Sequence, residues 1–420
     1  MIKRQRCASA SDECTAAELL GLSITFFAYM NDVQRKRIRR AISVYYLAMG
    51  MVFASWASRI PDVKAALSLD DGSLGALLFA IPAGQIAMMA ISAMVIARWG
   101  SRMVLRVSLV AYAAVLFAIS QAPTFVSLFV VLFLFGMAAN ILNISVNTQS
   151  VELEKLYGRS ILSTFHGLWS LGGLLGGLVG IGFVLTGLPL WVHYTTVSTV
   201  CILATLPMGL RLMDDSKLQH SAEKAEDGSG RHGFGRLDGV IIMLGFVAFG
   251  GMFCEGTVYD WSSVYMATVV CPPEALVRAG YIAGMAAMTF GRFVADRFIT
   301  RYDAAHVLRI SGASIMAGLL IATAFPYLAT ATLGFLLVGL GMSTVVPICY
   351  SAAGRHPRLS PATAITVVSS ISFIGFMVGP PLIGLMAQAL TLRVALAIAA
   401  SFGLLIIFLA PAAVRYRRQG

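Results

Sequence analysis

Glu255 is a carboxyl group about 15 residues into a long apolar run, where a charge costs several kcal/mol unless it is hydrated, paired or protonated. Burial favours its neutral form and water entry reverses that preference, so the group is suited to load and release a proton. The competing reading is a neutral acid that ties its helix to a neighbour. Glu255 is the one acid that this reading sets well inside an apolar run. His166, about one and a half turns into another run, is the second titratable candidate; a packing histidine near Ser163 and Ser170 is the alternative. It has no acid at helical spacing, so a Ser-His-Asp triad is unsupported. Asn140, Asn143 and Asn147 stand at i, i+3 and i+7 and share one helix face, with Gln149 following. Such a stripe faces a bundle or a watery cavity, where it holds solute hydroxyls or neighbouring helices. Trp56, Arg59, Tyr259, Asp260, Trp261 and Tyr281 gather at the outer ends of three runs, and Trp169 lies close to His166. Stacking on a sugar face is one use of these rings, an interfacial aromatic belt the other. Arg59 has Asp62 and Asp260 as possible partners, or faces solvent.

The elements that must position these groups are apolar and long. The 420 residues are 58% hydrophobic and 12% charged, with mean hydropathy +0.81. That composition excludes a soluble globular domain, a disordered chain and a disulfide scaffold. Twelve runs of spanning length occupy 38–58, 73–97, 104–121, 125–149, 161–186, 188–210, 238–259, 275–298, 304–325, 328–352, 362–386 and 391–414. Continuous runs rather than short alternations exclude a membrane β-barrel. The polar stretch 211–237 divides the runs six and six and has the composition of a flexible linker. The expected architecture is therefore an all-α membrane protein of twelve transmembrane helices in two pseudo-symmetric six-helix bundles. Its parts are a tail 1–37, a bundle 38–210, the linker, a bundle 238–414 and a tail 415–420.

The net charge of +11 comes from basic residues between the runs, so it reads as a topology signal facing anionic lipid rather than as a nucleic-acid surface. Of the 31 Lys and Arg, 23 fall in segments on the side of the linker and four on the opposite side. That asymmetry predicts cytoplasmic termini and a cytoplasmic linker in the inner membrane of a bacterium. Residues 16–30 are too short to span and carry Glu18; an interfacial helix and an over-extended chain start beginning properly at Met30 are both open. The six cysteines are scattered and read as packing residues, not as metal ligands or bridges. No phosphate loop, zinc site or haem ligand pair is present, so no cofactor, metal or ATP motor is expected.

The halves echo each other at an offset of about 200 residues. Gly50–Trp56 resembles Gly251–Gly256 followed by Trp261, Arg98–Arg102 parallels Asp296–Arg301, and Leu171–Gly173 parallels Val378–Pro380. Two six-helix halves around a shared site is the pattern of secondary transporters. Gly291, Arg292, Ala295, Asp296, Arg297 and Arg301 have the spacing of the loop-8–9 signature of the major facilitator superfamily, which this chain resembles. The first-half copy departs from it: Ala93 and Ala97 replace Gly and Asp, leaving Arg98, Gly100 and Arg102. Further stretches resemble the bacterial branch of fucose-permease-like carriers and MosC/YbjJ-type proteins. They are Ser55–Pro61, Asn147 to Glu152, Phe165–Gly173, Glu255–Trp261 and Val378–Gly384.

The resemblance implies alternating access, with gating by Arg98, Gly100, Arg102, Gly291, Arg292, Asp296, Arg297 and Arg301. The residues themselves read as a solute site at Asn140, Asn143, Asn147, Trp56, Arg59, Trp169, Tyr259, Asp260 and Tyr281, with proton coupling at Glu255 and His166. Some relatives carry an acid near Asn143, where this chain has amides, which weakens a two-carboxylate relay. Drug antiporters show a Gly-Pro motif in span five; here Ile181 follows Gly180. The glycines 172, 173, 176, 177 and 180, and those around Pro380 and Pro381, read as surfaces for close helix approach. The expected function is a monomeric, proton-coupled or facilitative carrier of a small sugar or polyol-like solute and not an enzyme. A drug or metabolite exporter and a non-transporting sensor are the rivals.

Overall fold

The computed structural model describes residues 32–157, 161–213, 239–354 and 361–411; side chains at 90, 93, 155, 163, 295–301, 361–363 and 366 lie outside that description. The described residues form twelve helices of membrane-crossing length. They are α1 Asp32–Ala66, α2 71–99, α3 Ser101–Ile119, α4 Phe125–Tyr157, α5 Leu162–Leu185 and α6 Leu190–Gly209. After the linker come α7 Gly239–Tyr265, α8 Ala279–Arg301, α9 Ala304–Ala324, α10 Leu328–Ala353, α11 Pro361–Ala389 and α12 392–409. Eleven meet the length and hydropathy of a membrane span. The twelfth, α8, is as long but carries Arg292 near its middle and Asp296, Arg297 and Arg301 towards its end. Polar residues make the boundaries. Asp70 caps α2, its side chain accepting from the Ser73 N–H at 2.6 Å. Gly100 turns α2 into α3 at φ +77°, a backbone that glycine adopts without strain.

Several helices overrun the apolar runs. α1 extends to Ala66 past a turn at Ser58 and Arg59, with Pro61 restarting the helix. α7 does not stop at Tyr259: it runs to Tyr265 and continues as a π-helical turn, Met266–Val270. Asp260 interrupts the hydropathy without interrupting the backbone, because its carboxyl is buried among protein rather than held at a surface. The extension puts Glu255 at the middle of α7 instead of towards its outer end.

α2 packs on α4, and α3 on α4 and α6; in the second set α7 packs on α11 and α12, and α10 on α8 and α9. α1–α6 meet α7–α12 chiefly where α5 lies against α8 and α2 against α11. Small residues make both approaches possible. On α5, Gly172 and Gly176 face α1, where an added Cβ would lie 2.2 Å from the Leu47 carbonyl oxygen and 2.7 Å from that of Met51. Gly173 and Gly177 face α8 at Met285 and Tyr281. The glycine stripe therefore serves two neighbours at once. Gly75 and Gly384 bring α2 and α11 together backbone to backbone, a Cβ on Gly75 falling 2.9 Å from the Gly384 Cα. This contact lies at the end of the bundle away from the chain termini, called the far end below.

The far end carries an ion cluster. Arg278, at the head of α8, donates through Nε to the Ser58 carbonyl at 2.7 Å and through Nη2 to Asp62 of α1. Arg59 Nε lies 3.1 Å from the same Asp62 carboxylate. Gly72 N–H donates to Gln388 Oε1 at 3.2 Å alongside. The far end is thus closed by charge, glycine contact and hydrogen bonding across the two sets of helices.

Candidate functional site

Midway along the bundle, Arg292 of α8 reaches Glu255 of α7, Nη2 to Oε1 3.2 Å, and donates through Nη1 to the Ser170 hydroxyl of α5. The same Glu255 oxygen accepts from the Tyr259 hydroxyl at 2.8 Å, one helical turn along α7. The guanidinium therefore bridges α5 from the first set of helices to α7 from the second. Within the pair, Glu255 is the covered member, its side chain 7% exposed against 20% for Arg292. A buried pair of this kind balances the desolvation of both charges only when further hydrogen bonds help, and Tyr259 and Ser170 supply them.

Aromatic rings wall this centre. Trp169 of α5 sits 6.0 Å from Tyr259, edge to face, and Phe53 of α1 lies 6.0 Å from Trp169 and 5.5 Å from Tyr259. Phe376 of α11 packs edge-on to Tyr259 at 6.3 Å. His166 lies one turn before Ser170, its ring packed edge to face with Tyr46 of α1 at 5.7 Å between centroids and within reach of the Arg292 charge. It is surrounded by protein yet reached by solvent, as a residue lining an internal cavity is.

From Tyr46 a chain of hydrogen bonds runs onto α4. Its hydroxyl donates to Asn147 Oδ1 at 2.9 Å, and Asn147 Nδ2 donates to both the Asn143 carbonyl and Asn143 Oδ1 at 2.8 Å. Asn143 is exposed and Asn147 half-buried. Asn140 turns elsewhere, accepting from Ser92 of α2 at 2.8 Å. The i, i+3, i+7 stripe is therefore split: Asn143 and Asn147 join the centre, and Asn140 fastens α4 to α2. Gln149 fastens α4 to Ser101 and Met213.

Other expected residues move. Arg292, expected among gating residues at the terminal end, is at the centre: α8 begins at residue 279, so Arg292 falls near its middle. Arg59, expected to hold solute, is buried in the far-end ion cluster. Trp56, Trp261, Tyr259 and Tyr281 are essentially fully buried, which an interfacial belt would not be; Trp261 donates to the Pro380 carbonyl at 3.1 Å. Asp260 is buried too, so Glu255 is not the one acid well inside a helix. Arg98 is exposed, Arg102 donates to the Leu210 carbonyl at 3.0 Å, and Gly291 lies against Ser343 of α10. The side chains of Asp296, Arg297 and Arg301 lie outside the described residues. Sequence reasoning did not single out Phe53, Tyr46 or Phe376 for the site; single aromatics in apolar runs carry no signal of the partner they will meet.

A cleft of about 700 Å³ opens at the terminal end between α1, α3, α4 and the segment after α6. Arg35, Arg37, Arg102 and Arg211 line it, and it shares no lining residue with the Glu255 centre. Among the described residues no His, Cys, Asp and Glu side chains group as a metal site.

Comparison with known proteins agrees with this architecture. A transporter from Sinorhizobium fredii, y4wD, itself uncharacterized, is 32% identical over 89% of this chain and 97% of its own length. The membrane protein MosC of Rhizobium meliloti is 30% identical over 87% of this chain and 88% of its own. Among solved structures, a D-xylose–proton symporter superposes with TM-score 0.71 at 13% identity, covering 90% of this chain and 97% of the symporter. The nucleoside transporter NupG superposes with TM-score 0.68 at 14% identity, covering 90% and 99%. At those identities the superpositions speak for the fold. The family model described as Major Facilitator Superfamily matches residues 41–363, and with these full-length relatives it identifies the chain as a transporter of that superfamily.

Proposed function

We propose that the chain is a proton-coupled carrier of a small, hydroxylated polar solute. Residues 38–210 rock against 238–414 about the Glu255–Arg292 centre, in a bacterial inner membrane with both termini and the 211–237 linker cytoplasmic. The observation that carries this reading is the Arg292 guanidinium, which touches α5 and α7 together at mid-depth. A group placed there feels any change in how the two sets of helices sit, as alternating access requires. Asn143, Asn147 and the rings of Trp169 and Phe53 supply hydrogen bonds and a stacking face of the kind sugars use. Protonation of Glu255 would release Arg292, coupling proton arrival to a change at the solute site. His166, Tyr281 and Asp260 flank this centre as further candidates for holding solute or protons. The closed far end, with Asp62, Arg278 and the Gly75–Gly384 contact, supports the reading of this state as open towards the cytoplasm.

An exporter of lipophilic cations fits less well, because the more exposed charge at the centre is a cation and its carboxylate is covered. Uptake into proteoliposomes of labelled sugars, cyclitols and sugar derivatives, with and without an inward proton gradient, tests the proposal. Gradient-stimulated uptake of a hydroxylated solute is expected; gradient-driven expulsion of lipophilic cations would replace it with the exporter.

A further inference from the structure

The hydrogen-bond directions around the centre point to one chemical feature of the solute. Asn147 Nδ2 donates to the backbone carbonyl of Asn143, which can only accept. That bond fixes the Asn147 amide, so its Oδ1 must be the atom that takes the Tyr46 hydroxyl and its Nδ2 the atom facing the Asn143 side chain. The Asn143 atom that accepts from it is then Oδ1, and Asn143, the exposed member, is left presenting its NH₂ group. The chain of bonds thus ends in a donor. Across the centre the more exposed charge is again a donor, the Arg292 guanidinium, with the Glu255 carboxylate covered beneath it. Arg292 spends one N–H on Ser170 and one on a single oxygen of Glu255 at 3.2 Å. The guanidinium fork, which suits a carboxylate bound through two parallel bonds, is engaged through one.

We infer that the solute carries a carboxylate beside its hydroxyls, as a sugar acid does, and that Arg292 binds this carboxylate in place of Glu255. The inference rests on the carrier reading above and names its substrate class. Charge balance makes the exchange self-consistent. The empty centre holds Glu255 carboxylate against Arg292, with no net charge. One proton adds to a Glu255 oxygen as the solute carboxylate docks on Arg292, and the centre again has no net charge. Solute and proton therefore enter as a pair, and neither step strands a buried charge. The Tyr259 hydroxyl stays on Glu255 throughout. Among the described residues, the charged and titratable groups facing Glu255 are Arg292 of α8, Tyr259 of its own helix and Tyr350 of α10, with His166 of α5 beyond Arg292. From α11 and α12 the neighbours of this stretch of α7 are Phe376 and Phe402, which do not titrate.

Binding to the purified full-length protein in detergent tests this, read as the shift in thermal unfolding and as quenching of tryptophan fluorescence. The probes are D-glucuronate and D-gluconate against D-glucose, myo-inositol and D-glucosamine, from pH 5.5 to 8. The acids are expected to bind at least tenfold tighter than the neutral and cationic compounds, and tighter as pH falls. Arg292→Gln should abolish acid binding. Glu255→Gln, which removes the competitor but keeps the shape, should tighten it about tenfold and flatten its pH dependence. A merely structural pair would weaken binding in both variants, which would overturn the inference. Neutral sugars binding as well as the acids would overturn it too, while leaving a sugar carrier intact. No binding by any probe would overturn the sugar-acid class; the uptake panel above judges the carrier reading separately.

Discussion

Asp62 of α1 accepts from Arg278 of α8 and at the same time lies 3.1 Å from Arg59, so one carboxylate holds a guanidinium from each set of helices. Arg278 also binds the Ser58 carbonyl, in the turn that breaks α1. The junction is buried on its basic side: Arg59 is 6% exposed and Arg278 1%. Removing the shared carboxylate leaves the like charges of Arg59 and Arg278 facing each other without the acid that pairs them, which costs about 3–5 kcal/mol in a buried setting. That cost falls on the closed far end.

Asp62→Asn should therefore shift the protein towards a state open at the far end. Spin labels at the exposed positions Ala65 and Leu276 report it by distance measurement. The wild-type distribution should be short and narrow, and the variant should gain a longer population. An unchanged distribution would reduce the cluster to packing.

The split of the asparagine stripe gives opposite expectations for neighbours on one helix. Asn140→Ala removes the partner of Ser92 and should cost about 1 kcal/mol of stability with solute affinity unchanged. Asn143→Ala should leave the unfolding temperature within about a degree or two and weaken solute binding at least fivefold, since Asn143 is an exposed residue whose one side-chain partner, Asn147, keeps its bond to the 143 carbonyl. Melting curves with and without solute separate the two; equal effects on binding would return all three asparagines to one role.

How much of this was legible beforehand depends on the physics that each feature uses. Helix number and order follow from hydropathy, because lipid-crossing segments must be long, apolar and helical. The ends were misjudged where a polar residue is buried by protein instead of meeting water, as at Asp260 and Arg59. Glu255 stood out as an intramembrane charge, but its partner did not. Arg292 sits in a motif whose other members lie towards a helix end, and hydropathy alone cannot tell a buried arginine from a boundary one. The direction of Asn140 was equally hidden: a three-residue step on a helix turns about 300°, and which side of that face meets α2 is set by packing.

Topology is the expectation that rests wholly on charge. The basic asymmetry between the two sides predicts that the 211–237 linker is cytoplasmic. Ser229 lies in that stretch, and the free cysteines described are buried except Cys271. With Cys7, Cys14 and Cys271 replaced by serine, a cysteine at Ser229 should resist a membrane-impermeant maleimide in intact cells and react after permeabilisation. Strong labelling from outside would invert the orientation and with it the assignment of the closed face.

The central claim is that Glu255, by gaining and losing a proton at the Arg292 pair, ties solute movement to the proton gradient. Glu255→Gln keeps size and the ability to accept from Tyr259 while removing titration. The direct measurement is transport by this variant in proteoliposomes, comparing uphill accumulation under an inward proton gradient with solute exchange at equal pH. The account predicts that accumulation is abolished and exchange persists at a rate comparable to wild type. Accumulation that survives in the Gln variant with wild-type pH dependence would contradict it and leave Glu255 as a structural partner of Arg292.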